Sequence, residues 1–142
     1  MFRLAIAAIS AMLLLTACSG PASVKQARQA VDIFHAHFNN DETQAIWDAS
    51  SSDLTSSTSE AQFSDMLRGL RGHYGKVVAT EQQGWRYKNY NGNSFSRLEM
   101  KTTFEKGTAY EQFTFRNEKG GKQLLAGWSL GDAPPPQEED QD

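Results

Sequence analysis

Cysteine is all but missing from this 142-residue chain: Cys18 is the only one. A single thiol excludes an intramolecular disulfide and any cysteine-built zinc site. Histidine is scarce too, with His35, His37 and His73 alone and no H-E-x-x-H spacing. On a helix, His35 and His37 would point about 200° apart and could not share an ion. No metal and no cofactor is therefore expected. Basic residues are fewer than acidic ones, 14 against 17, for a net charge of −3. No positive field points to nucleic acid or to lipid headgroups. Long apolar runs are lacking as well. The longest covers residues 4–15, broken only by Ser10, well short of the about 20 residues that span a bilayer.

That run follows Met1-Phe2-Arg3 and has the length of a signal-peptide core. It leads into Leu15-Thr16-Ala17-Cys18, which resembles the lipobox of bacterial lipoproteins. The resemblance implies cleavage between Ala17 and Cys18, and diacylglycerol on the Cys18 sulfur with further acylation, such as palmitate, at the new amino terminus. Ser19, where inner-membrane lipoproteins carry Asp, favours the outer membrane, facing the periplasm. With residues 1–17 as the signal peptide and 18–22 as a lipidated tether, the remainder suffices for one domain, 23–131. Residues 132–142 hold three consecutive prolines and five acids, Asp132, Glu138, Glu139, Asp140 and Asp142, without a large apolar side chain. Such a tail is expected to be disordered.

Within the domain, Val24, Ala27, Val31, Phe34 and Phe38 recur at helical spacing, with Ser23 as N-cap. Ala45, Ile46 and Trp47 mark a short second segment. The hydroxyl-rich stretch 50–59 reads as a solvated linker supplying helix caps, with a mobile lid as the alternative. A further helix presents Phe63, Met66, Leu67 and Leu70 and ends at Gly72 or Gly75. After Gly75 the period falls to two, clearest where Leu98, Met100, Thr102 and Phe104 alternate with charged or polar neighbours. Turn signals at Asn91-Gly92, Lys106-Gly107 and Lys119-Gly120-Gly121 divide five expected strands: 76–82, 85–90, 95–104, 108–116 and 122–130. Helices succeeded by hairpins give an α+β fold, the helices packed on a curved antiparallel meander.

Four stretches resemble small bacterial lipoproteins with a nuclear-transport-factor-2-like domain: Ala45-Ile46-Trp47-Asp48-Ala49-Ser50, Arg71-Gly72-His73-Tyr74-Gly75-Lys76-Val77, Tyr110-Glu111-Gln112-Phe113-Thr114-Phe115 and, after it, Leu125-Ala126-Gly127-Trp128-Ser129-Leu130. The resemblance implies a cone-shaped α+β domain and transfers no catalytic set.

Chemistry-bearing patterns are few. Gly127-Trp128-Ser129-Leu130-Gly131 fits G-x-S-x-G, but no histidine comes after it, so Ser129 reads as an outward strand residue between Trp128 and Leu130. Gly69, Gly72 and Gly75 do not form a phosphate loop. Strand parity sends Leu98, Met100, Phe104, Glu111, Phe113, Phe115, Leu124 and Trp128 to the inner face as lining of a pocket. Glu111 is the one charge among them, and with no evident inward basic partner it is expected at the rim. A largely apolar lining favours binding of a protein partner or small apolar ligand without catalysis. The alternatives are a pocket enzyme of isomerase or dehydratase type using Glu111, and a purely structural subunit of an envelope assembly. Two or three helices cannot cover both sheet faces, so some of Trp85, Tyr87, Tyr90 and Tyr110 should be exposed, as on a partner-binding or homodimerising sheet.

Overall fold

The computed structural model describes residues 22–136. The signal peptide, Cys18 and the end of the acidic tail lie outside that range. Helix α1 (Ala22–Asn39) buries Val24, Ala27, Val31, Phe34, His35 and Phe38. Ser23 lies inside it, one residue past the start, so it is not the N-cap. Short helices α2 (Thr43–Asp48) and α3 (Ser52–Thr55) come next, the latter within the hydroxyl-rich stretch. In α4 (Glu60–Tyr74), Ser59 and Gln62 form a reciprocal capping box, as expected of a hydroxyl-rich linker. Phe63 and Leu67 of α4 are buried, but Met66 is exposed, so its apolar stripe is narrower than its spacing suggested. Gly75 ends the helix at φ +78°, with its N–H bonded to the Arg71 carbonyl.

Four strands, β1 (Val77–Tyr90), β2 (Asn93–Phe104), β3 (Gly107–Asn117) and β4 (Gln123–Gly131), form one antiparallel meander in chain order. The two segments expected on either side of residue 83 are one strand. A bulge between Gln82 and Gly84 absorbs the extra residue instead of a turn. Asn91 and Gly92, both at positive φ, make the two-residue turn into β2.

Helix α1 lies on the inner face. Phe34 meets Phe113 edge-on at 5.1 Å and Trp128 at 5.2 Å, and Phe38 meets Phe104 at 6.2 Å. At the far end of α1 the Asn39 amide pairs with both backbone groups of Val77. Leu67, Leu98, Met100 and Phe113 are almost wholly buried, each side chain contributing about 1.5–3 kcal/mol by leaving water. Residues 49–51 pair along the outer edge of β4, where Ser51 N–H bonds Leu125 O at 2.8 Å and Leu125 N–H bonds Ala49 O at 3.0 Å.

Candidate functional site

The inner face is built from cross-strand rows. One row carries Gln82, Met100, Glu111 and Leu130, and the next carries Trp85, Leu98, Phe113 and Trp128. Glu111 thus has Thr102 of β2 on one diagonal, Trp128 of β4 on the other, and α1 above it. All three supply donors. Thr102 Oγ1 donates to Glu111 Oε1 at 2.5 Å, His35 Nε2 meets the same oxygen at 2.8 Å, and Trp128 Nε1 donates to Oε2 at 2.9 Å. Thr80 extends the chain through a 2.8 Å contact with Thr102.

Glu111 is 1% exposed, which corrects the expected rim position. The expectation rested on the lack of an evident inward basic partner, whereas the partners are a histidine of α1 and two neutral side chains on the neighbouring strands. Their signals were present in the sequence: Thr102 shares parity with Leu98 and Met100, and His35 stands four residues after Val31 and three before Phe38.

The expected pocket lining is packed core. Leu98, Met100, Phe104, Phe113 and Phe115 are at most 3% exposed and press on α1 or on one another, while Trp128 is half-buried. Leu124 is not among them. A bulge between Gly127 and Leu125 inverts parity, so Leu125 points inward and Leu124 shares the outer row of Lys88, Phe95 and Arg116. Of the expected set Phe115 borders a concavity, a notch of about 140 Å³ among Ala30, Ile33, Phe34, Ile46 and Leu125. The Gln123 side-chain amide, also at this notch, is buried without a hydrogen-bond partner among the described residues.

The remaining candidates separate. His37 turns away from His35 to Glu42, at 2.5 Å near the surface, and His73 stacks edge-on against Tyr74 at the end of α4. Ser129 faces solvent between half-buried Trp128 and Leu130. Among the described residues no group of three or more potential ligands could hold a metal, and no helix is long and apolar enough to cross a membrane.

A larger hollow lies elsewhere. It is a groove of about 820 Å³ on the distal half of β1 and β2, where Arg86, Lys88 and Arg97 alternate with Trp85, Tyr87, Tyr90 and Phe95. Tyr90, 63% exposed, shares the outer parity of Arg86, Lys88, Phe95 and Arg97; Trp85 and Tyr87, each 45% exposed, border the groove from the inner parity of Leu98 and Ser96, where the strands run on past the end of the helical layer, and Tyr110 is half-buried.

From Gly131 the chain turns onto the outer sheet face. Asp132 Oδ1 accepts from the Tyr74 hydroxyl at 3.2 Å. Burial first, then the charge and hydrogen bond of Asp132, push the Tyr74 phenol above its ordinary value. Pro134–136 lie along Tyr110, Gln112 and Ser129, and Pro135 and Pro136 border Arg86, Arg97 and Glu99. Residues 132–136 carry no helix or strand. The expected disorder of 137–142 concerns residues outside the described range.

Comparison of the chain with family models, with curated proteins and with solved structures gives no match.

Proposed function

We propose that this chain is an exported envelope lipoprotein, held by lipid on Cys18 at the outer membrane facing the periplasm. Its domain, a cone of the nuclear-transport-factor-2-like kind, serves as a non-enzymatic binding module for a protein partner. The observation that carries this reading is the contrast between the two sheet faces. Acid–base chemistry needs an ionisable group within reach of a substrate atom. Glu111 is instead sealed by its three donors and works as a clamp between α1 and the sheet. On the outer face, Tyr90 and Phe95 with Arg86, Lys88 and Arg97, the aromatic and cationic side chains that protein interfaces favour, line the open groove on β1 and β2. A small apolar ligand is the second reading, favoured by the unpaired Gln123 amide at its apolar notch.

Two measurements in the producing cell test the proposal. Cys18→Ala should abolish lipid labelling and cleavage after Ala17, and normal processing at that bond would defeat the anchor. A photo-crosslinking residue at Tyr90 should give one adduct of defined mass that Arg97→Glu removes, whereas the same probe at Lys25 on α1 should give none. Equal labelling from both positions would defeat the binding module while leaving the anchor standing.

A further inference from the structure

The two edges of the sheet differ. Residues 49–51 pair along β4, whereas β1, a 14-residue strand, has β2 on one side and, among the described residues, no strand on the other. Which of its backbone groups face that open side follows from the pairing. Tyr90 and Asn93 flank a two-residue turn and exchange hydrogen bonds, so alternate residues, Asn89, Tyr87 and Trp85, turn their N–H and C=O outward. Past the bulge the alternation continues at Gln82, Thr80 and Val77. Val77 bears this out, because the Asn39 amide holds both of its backbone groups. An open edge of this length is a template for another strand.

We propose that β1 pairs antiparallel along this edge with β1 of a second copy of the chain, with Trp85 on the two-fold axis. Gln82 then lies opposite Tyr87 of the second copy and Thr80 opposite Asn89, so every outward residue from Thr80 to Asn89 meets another. On the outer face Glu81 lies opposite Lys88, an oppositely charged cross-strand pair that the symmetry makes twice. Trp85 and Tyr87, each 45% exposed, gain cover on the inner face. The strand itself selects this alignment. With the axis at Gly84, Asn89 would fall against Val77, whose groups Asn39 already holds. With the axis at Arg86, Thr80 would fall against the Asn91-Gly92 turn. Such pairing is made by the backbone at the sheet edge and leaves the groove on the outer face to its own partner, so it stands independently of the binding role.

The test measures self-association of the full chain by sedimentation equilibrium in density-matched detergent micelles. A dimer should form. Tyr87→Pro should weaken it at least tenfold, since proline removes an N–H that only the second copy uses and leaves the β1–β2 ladder whole. Glu81→Lys and Lys88→Glu should each weaken it by about threefold to tenfold. Combined, the two reversals should restore the wild-type affinity, a rescue that does not depend on how well Tyr87→Pro folds. A chain that stays monomeric up to about 1 mM would overturn the proposal, including the case in which a strand of a different protein takes this edge. So would a dimer indifferent to Tyr87→Pro, or charge reversals whose effects add instead of cancelling.

Discussion

Removing the Glu111 carboxylate leaves three donors facing one another across the inner sheet face. His35 is 6% exposed and cannot turn to water, whereas the wholly buried Thr102 hydroxyl can turn to Thr80 Oγ1 at 2.8 Å. A buried donor without a partner costs about 1–3 kcal/mol. Trp128 is half-buried, and its indole N–H can recover part of its bond from solvent. Glu111→Ala should therefore lose about 3–5 kcal/mol, the cavity left by the side chain included. Glu111→Gln keeps an oxygen for Thr102 and His35 but sets an amide N–H against the indole N–H. That single conflict costs about 1–2 kcal/mol. At about 4 °C per kcal/mol for a domain of this size, the melting temperature should fall by about 12–20 °C and 4–8 °C respectively. Thermal and urea unfolding of the soluble domain, monitored by circular dichroism, would measure both. The double variant with His35→Ala should lose less than the sum of the single variants, because the histidine donor is already orphaned in Glu111→Ala. A loss below about 1 kcal/mol for Glu111→Ala, or strict additivity with His35→Ala, would refute the clamp.

Local geometry sets three more expectations. Leu125→Ala should cost about 2–5 kcal/mol and Leu124→Ala about 0.5 kcal/mol or less; equal losses in urea unfolding would contradict the bulge that separates their faces. Gly75→Ala should cost about 1–3 kcal/mol, since its φ is +78° and an added Cβ would stand 2.8 Å from the Glu105 Cβ; an unchanged melting temperature would show that the helix end rearranges freely. Because the Tyr74 phenol is raised above its unfolded value, its contribution to stability is complete below about pH 10 and is lost as pH climbs through the folded pKa. Asp132→Asn should lower that pKa in an absorbance titration of the tyrosines, and an identical titration curve would dismiss the contact.

The order of the elements was legible because each carries its own period: Val31, Phe34 and Phe38 on a helix, Leu98, Met100 and Phe104 on a strand. Turns were legible where Asn91-Gly92 requires positive φ. Shifts of one residue stayed hidden. The bulges near residues 83 and 126 leave no composition signal, yet one merged two expected strands and the other exchanged Leu124 for Leu125. The clamp was half visible. Parity placed Glu111 inward, but its donors come from three separate elements, and the His35 contact spans 76 positions. Local pattern carries no information at that range. The groove was foreshadowed only as a surplus of aromatics, because where a sheet outruns its helices depends on lengths in three dimensions.

That separation also governs how the protein comes into being. Ribosomes add residues at about 5–20 per second, so the 76 positions between His35 and Glu111 correspond to about 4–15 s of synthesis. Throughout that interval α1 exists with Phe34 and Phe38 on its apolar side and nothing to cover them, because the strands it packs on are made last. Hairpins β1–β2 and β2–β3 close locally as they emerge, but the core does not close until Trp128 has been made. A nascent chain of this architecture leaves that apolar side uncovered for about half of its synthesis, and a product truncated before β3 lacks Glu111 and Phe113, to which its first helix would bind.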